Sequence, residues 1–204
     1  MADYHPGLEG VIATESSISD INGEKGILSY RGYSIEELAE KSTFEETAFL
    51  LLTGELPTPD ELTKFTKQIN VRRDLPSGMI DLLKALPKES NPMDVIQLAV
   101  SSLGTFYPVT FDAEDLKAKK YTKDYYIEVS AGILGSIGSI VAAWNRIKNN
   151  KDYIKPDSNL SYADNFMHML DDSIEVTPLI SRIIDATLIL HAEHTINAST
   201  FTSM

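Results

Sequence analysis

The stretch Gly26-Ile-Leu-Ser-Tyr-Arg-Gly-Tyr-Ser-Ile-Glu-Glu-Leu-Ala39 changes character in its middle and thereby decides the fold. Its first part, Gly26–Tyr30, is a short β-type run. Arg31-Gly32 follows as a candidate turn or salt-bridge position. From Ser34 onward the sequence carries the start and stop signals of helices. The stretch therefore predicts a switch from strand to helix near residue 33.

On the N-terminal side of this switch, the pattern indicates a small antiparallel β-ribbon within residues 1–33. Val11–Thr14 is another β-type run, and Asn22-Gly23 is a strong tight-turn signal ahead of the run at Gly26. We expect up to three short strands. A ribbon of this size is marginally stable alone, so we expect it to pack against other elements.

On the C-terminal side, helix starts recur. Ser42 with Glu45, and Thr58 with Glu61, have the spacing of capping boxes. Prolines stand directly after candidate N-cap residues, as is typical of a first helical position. These prolines are Pro59, Pro92 and Pro178.

Helix ends are marked by Gly54 and Gly104, which follow apolar runs. Helices are predicted near residues 34–41, 43–53, 58–71, 77–86, 92–103, 121–148, 161–171 and 178–192. The predicted fold class is mostly α, with the β-ribbon segment at 1–33 and one helical portion at 34–204.

The most apolar stretch, Val129–Trp144, is interrupted by three glycines at positions 132, 135 and 138. It is shorter than the roughly 20 apolar residues of a membrane-spanning helix. We interpret it as a buried helix of a soluble protein, with glycines that let another helix approach closely. Such a face also suits a helix-packed interface between subunits.

Composition excludes several classes of protein. The 204 residues include 18 Lys and Arg against 30 Asp and Glu, a net charge of −12. This charge argues against binding to nucleic acid or to an anionic membrane. Cysteine is absent, which excludes disulfides and thiolate chemistry and fits a cytoplasmic protein. Met1–Pro6 lacks the pattern of a secretory leader.

The segment Leu188-Ile-Leu-His-Ala-Glu-His194 holds the histidines most suited to chemistry. On a helical period both imidazoles, His191 and His194, are expected to face the protein interior or a cleft at the helix end. Hydrogen-bonded core histidines and functional histidines are both compatible with this pattern. Metal binding is disfavoured, because the histidines stand at i,i+3 rather than the i,i+4 spacing of zinc proteases.

Asn197 follows the histidines and is a suitable N-cap for a new helix. The free N–H groups at a helix start, beside two histidines, form a local anion site within an acidic protein. We therefore expect this corner to suit a carboxylate substrate.

Five segments, taken in order, resemble the citrate synthase family. They are Gly26–Ala39, Phe44–Pro57, Asn91–Asp94, Asn165–Leu170 and His191–Thr200. The resemblance implies a nearly all-helical fold of a large and a small domain. It places this chain on the N-terminal half of a short, bacterial-type member. The small domain and the rest of the large domain would lie beyond Met204, an end that we interpret as an interruption.

The resemblance also implies an activity, the condensation of acetyl-CoA with oxaloacetate and the hydrolysis of citryl-CoA in the tricarboxylic acid cycle. Members are acyltransferases that convert the acyl group into an alkyl group on transfer. The family's catalytic histidines, catalytic aspartate and substrate arginines would lie beyond residue 204. His194 corresponds to the oxaloacetate-binding histidine, Asn197 to the asparagine after it, and His191 to a neighbouring histidine that orders the site.

The chain departs from the family pattern beside these histidines. The family often has aspartate between them and glutamate after the second, whereas this chain has Glu193 and Thr195. The first change keeps the charge, and the second loses it.

Further expectations follow from the resemblance. They are a homodimer or a higher assembly in the cytoplasm, acetyl-CoA as cosubstrate, and no permanently bound cofactor, metal, nucleic acid or membrane. The 204-residue chain is expected to be inactive alone. Two alternatives stay open: a 2-methylcitrate synthase that uses propionyl-CoA, and a non-enzymatic helical module that dimerises.

Overall fold

The computed structural model describes residues 14–107, 122–197 and 199–200. Three strands come first in this part of the chain: β1 (Ser19–Asn22), β2 (Ile27–Tyr30) and β3 (Tyr33–Ser34). Eight helices follow among the described residues: α1 (Ile35–Lys41), α2 (Phe44–Thr53), α3 (Pro59–Val71), α4 (Ser77–Ala85), α5 (Pro92–Phe106), α6 (Lys123–Lys148), α7 (Tyr162–Leu170) and α8 (Pro178–Leu190). The predicted mostly helical fold is confirmed.

The β-ribbon is an antiparallel sheet in the order β1-β2-β3. Tyr30 pairs with Ser19 on one side and with Tyr33 on the other. The predicted run at Val11–Thr14 is not a strand at Thr14, and its other residues lie outside the described part. The first strand among the described residues lies at Ser19–Asn22 and pairs with β2.

Arg31 confirms the predicted turn between β2 and β3. Its φ is 50°, and Gly32 follows with φ 88°, so the chain reverses within two residues. The Arg31 guanidinium donates to Ser17 Oγ at 2.8 Å and to the Leu51 carbonyl at 3.0 Å. The turn therefore fastens the ribbon to α2 through neutral oxygens.

The capping box of α2 lies one residue later than predicted. Thr43 is the N-cap, its hydroxyl accepts from the Glu46 N–H, and the Glu46 carboxylate accepts from the Thr43 N–H. The prediction of Ser42 with Glu45 was wrong because Ser42 ends α1 as its C-cap. Glu45 turns inward instead and accepts from the Tyr162 N–H at 2.8 Å.

The other residues predicted to mark starts and ends of helices are confirmed, with one exception. The capping box of Thr58 with Glu61 is confirmed, as are the three prolines at the first turn of α3, α5 and α8. Gly54 ends α2 with φ 98°. Gly104 does not end α5, which continues to Phe106. The Phe106 ring packs closely over Gly78 of α4.

The long helix α6 packs against α3, α4, α5 and α7. By length and composition it could cross a membrane, but 44% of its most apolar window is buried inside the protein. A Cβ at Gly135 would lie 2.2 Å from the Ile69 carbonyl oxygen, and one at Gly138 would lie 3.1 Å from the Tyr162 hydroxyl. The glycine face is therefore covered by α3 and α7 of the same chain. Val129 and Ile133 of the same helix are exposed, so its use between subunits stays a prediction.

Two clusters of buried side chains form the core of the described part. One joins Tyr30 of the ribbon to residues of α1, α2, α3 and α8, among them Leu38, Leu50 and Ile189. The other fills the space between α4, α5 and the C-terminal half of α6. The ribbon packs against the helices through the first cluster, because a sheet of this size is only marginally stable alone.

Candidate functional site

Both candidate histidines lie on the short segment that follows α8. The helix ends at Leu190, His191 is its C-cap, and the Ala192 N–H donates to the Ile189 carbonyl at 3.2 Å. His194 is therefore off the helix, and both histidines are exposed. The interior position was therefore wrong, because α8 ends at Leu190, two residues before the predicted end at residue 192. The alternative of a cleft at the helix end stays a prediction.

His191 is oriented by its own helix. Its Nδ1 lies 2.8 Å from the carbonyl oxygen of Thr187, one turn earlier. A carbonyl oxygen can only accept, so Nδ1 carries the proton and Nε2 is directed away from this bond. This contact fixes the ring beside the segment that carries His194.

The segment after α8, which carries both histidines, is hydrogen-bonded to the side chain of Tyr30 in β2. The Tyr30 hydroxyl lies 3.1 Å from the Glu193 carbonyl oxygen and 3.4 Å from the Leu190 carbonyl oxygen, and can donate to either. It also accepts from the Glu193 N–H at 3.3 Å. Burial raises the pKa of Tyr30, so its hydroxyl stays a proton donor at neutral pH.

Tyr30 was missed in the sequence because no local pattern connects residues 163 apart. The only available signal was a large polar side chain at the end of a β-type run. Such a side chain must find a partner once it is buried.

The backbone next to His194 is strained. Thr195 has φ 71°, an unusual conformation for a β-branched residue. Its N–H donates to Glu193 Oε1 at 2.7 Å. Glu193 Oε2 is buried and has no hydrogen-bond partner among the described residues. Strain of this kind costs about 1–3 kcal/mol and concentrates at functional sites.

Asn197 is an N-cap, as predicted. Its Oδ1 accepts from the Thr200 N–H at 2.7 Å, and residues 199 and 200 are helical. Asn197 and His194 are both exposed. The structure therefore places an imidazole and a helix start on one exposed segment, a combination that can bind a carboxylate.

Arg182, the nearest cationic side chain before the histidines, serves the fold. Its guanidinium donates to the carbonyl oxygens of Ala39 and Ser42 at the end of α1, and to Asp185 Oδ2 at 3.1 Å. Asp185 Oδ1 accepts from the Phe44 N–H at 2.9 Å, at the start of α2. Burial raises the pKa of Asp185. This pair fixes α8 against the corner between α1 and α2.

His168 lies apart from this segment, in an open cavity of about 730 Å³ between α7 and α8. Asp164, Asp171 and Asp172 also line the cavity. Asp171 and Asp172 are paired with Lys151 and Arg146. Within residues 14–107, 122–197 and 199–200, no group of three or more His, Asp or Glu is arranged to hold a metal ion.

Comparisons with known proteins cover nearly the whole chain. The family model "Citrate synthase, C-terminal domain" matches residues 7–204. A citrate synthase from Acidithiobacillus ferridurans is 42% identical over 98% of this chain and 50% of its own length. A 2-methylcitrate synthase from Corynebacterium glutamicum is 38% identical over 98% of this chain and 51% of its own length.

A solved structure agrees with these matches. The crystal structure of citrate synthase from Pyrobaculum aerophilum superposes with a TM-score of 0.80 at 35% identity, over 96% of this chain and 49% of that one. The fold of the chain is thus that of a mostly helical protein. The chain belongs to the citrate synthase family. It spans about half the length of the relatives that it matches.

Proposed function

We propose that the chain is the N-terminal half of an enzyme that condenses acetyl-CoA with oxaloacetate and hydrolyses citryl-CoA to citrate and CoA. One observation carries the proposal: in a chain of this family, an exposed and strained segment presents His194 beside a helix start. Such a segment can bind a small dicarboxylate in an otherwise acidic protein. Acetyl-CoA would act as cosubstrate, and no permanently bound cofactor is needed.

In this proposal His194 donates a hydrogen bond to oxaloacetate. Asn197 supports it by capping the helix that starts beside the substrate. His191 orders the segment through its bond to the Thr187 carbonyl. Hydrogen bonds to a charged carboxylate are stronger than neutral ones, so loss of the imidazole would weaken binding clearly.

The test replaces His194 with alanine in the full-length protein. A hydrogen bond to a charged group contributes about 1.5–3 kcal/mol. We therefore expect the KM for oxaloacetate to rise by about ten- to a hundredfold, measured by steady-state release of CoA. His168→Ala is the matched control, because His168 lies in the separate cavity between α7 and α8. An unchanged KM in the His194 variant would remove the site assignment.

The 204-residue chain alone is proposed to be inactive, because the family's catalytic residues correspond to positions beyond residue 204. The described cation nearest before the histidines, Arg182, is already bonded to α1 and to Asp185. Release of CoA by the purified chain would contradict this part of the proposal.

A 2-methylcitrate synthase is the second candidate. It is favoured by the match to the Corynebacterium glutamicum protein of that name. The two activities differ in the acyl-CoA used, and the discriminating measurement is kcat/KM for acetyl-CoA against propionyl-CoA in the full-length protein. A higher value for propionyl-CoA would replace the first candidate with the second.

Cytoplasmic location and a homodimer also belong to the proposal. The lack of cysteine supports a reducing compartment. Exposed apolar side chains along α8 support association. The third alternative, a non-enzymatic dimerising module, stays open, although α3 and α7 cover Gly135 and Gly138.

A further inference from the structure

The contact between Tyr30 and the segment after α8 joins the two ends of the described chain. Tyr30 lies in the β-ribbon, and its hydroxyl meets both the N–H and the carbonyl of Glu193, next to His194. We propose that Tyr30 is a positioning residue, which holds this segment in the conformation that presents His194 to oxaloacetate. The inference rests on the proposed function, since it takes the oxaloacetate site to be at His194.

Tyr30 can position its neighbour because its own place is fixed. The side chain is 0% exposed and belongs to the same buried cluster as Leu38, Leu50 and Ile189. Its backbone is paired on both sides in the ribbon. The next residue, Arg31, is fastened to Ser17 and to the Leu51 carbonyl. The core therefore fixes the position of the ring, and the hydroxyl of the ring is hydrogen-bonded to the segment after α8.

The segment needs an anchor because its own geometry is unfavourable. Thr195 holds a positive φ, and the Glu193 side chain is turned back onto the Thr195 N–H. The Leu190 carbonyl is among the last of α8 and lacks a partner within the helix. The Tyr30 hydroxyl lies within reach of this carbonyl and of the Glu193 peptide groups at once. Removal of the hydroxyl leaves the strained turn free to relax.

The experiment compares Tyr30→Phe with Tyr162→Phe in the full-length protein. Both variants keep a buried ring and lose one hydroxyl. Tyr162 is the matched control because its hydroxyl donates to the Leu134 carbonyl at 2.8 Å, within the helical core. In the Tyr30 variant we expect the KM for oxaloacetate to rise about three- to tenfold, the range that one hydrogen bond covers. The KM for acetyl-CoA stays within about twofold.

A second readout does not depend on substrate. Amide hydrogen exchange is followed for residues 190–197 in both variants. We expect faster exchange in this segment for Tyr30→Phe, and unchanged exchange there for Tyr162→Phe. A merely structural role of Tyr30 would instead raise exchange throughout the core, in proportion to the loss of stability.

The outcomes separate this inference from the proposed function. Unchanged exchange at 190–197 in Tyr30→Phe overturns the inference, whatever His194→Ala does. Equal effects of the two tyrosine variants on the oxaloacetate KM overturn it as well. If His194→Ala raises that KM and Tyr30→Phe does not, only the positioning role fails. If His194→Ala has no effect, the assignment of the oxaloacetate site to His194 fails, and the link of Tyr30 to substrate falls with it.

Discussion

Glu45 and Glu46 are neighbours at the start of α2 with opposite environments. Glu46 faces outward and caps the helix with Thr43. Glu45 is buried, accepts from the Tyr162 N–H, and has its Oε1 3.9 Å from a guanidinium nitrogen of the buried Arg73. Burial raises the pKa of Glu45 despite these contacts. Ser42 with Glu45 and Thr43 with Glu46 both have the spacing of a capping box. A prediction one residue too early therefore assigned the surface cap to Glu45, which lies in the core beside Arg73.

Alanine variants of these two glutamates are predicted to differ clearly in stability. Glu45→Ala leaves the Tyr162 N–H without its acceptor and Arg73 without its counter-charge, and we expect a loss of about 3 kcal/mol or more in the free energy of unfolding. Glu46→Ala removes one partner of a cap and costs about 1 kcal/mol. Urea unfolding of both variants measures the difference. Equal losses would mean that the buried pair contributes no more than the cap.

At the scale of elements, α6 shows how one residue type can have two roles on one helix. A Cβ at Gly135 would meet backbone, since the Ile69 carbonyl oxygen lies 2.2 Å away. A Cβ at Gly132 would meet only the flexible side chain of Arg72, at 3.5 Å. Gly135 is therefore required for the approach of α3, whereas Gly132 only weakens the helix.

Substitution of these two glycines by alanine is predicted to change stability in opposite directions. Gly132→Ala gains helix propensity and raises the free energy of unfolding by about 0.5–1 kcal/mol. Gly135→Ala forces α3 and α6 apart and lowers it by about 2–3 kcal/mol. Thermal unfolding of the two variants is the check. A stabilised Gly135 variant would show that the two helices do not pack as closely as described.

Local chemistry explains why the elements were predictable and the site was less so. Helix starts at Thr58, Asn91 and Thr177 depend on a cap and a proline that are adjacent in sequence. The end of α8 carries neither glycine nor proline, so the histidines were placed on a helix that had already ended. The Asn197 cap is local and was found, whereas the Tyr30 anchor is a tertiary contact and was not.

At the scale of the whole molecule, α8 has two unlike faces. Its inner face holds Ile189 in the core and Asp185 against α2. Its outer face carries three large apolar side chains: Leu179 and Ile183 stand one turn apart, and Leu190 follows two turns later, beyond the exposed Thr187. These three side chains are 69%, 53% and 47% exposed. Large apolar side chains exposed on one helix face favour association in water.

We therefore predict that the 204-residue chain self-associates through the outer face of α8. Sedimentation velocity over a range of concentrations would show a mass that rises with concentration. Ile183→Glu places a charge in the middle of this face and shifts the chain toward monomer, because burying an unpaired carboxylate is costly. Val71→Glu is the matched control, since Val71 is equally apolar and 69% exposed but stands at the end of α3. A monomer at every concentration, or equal effects of the two glutamates, would show that this face is not the contact.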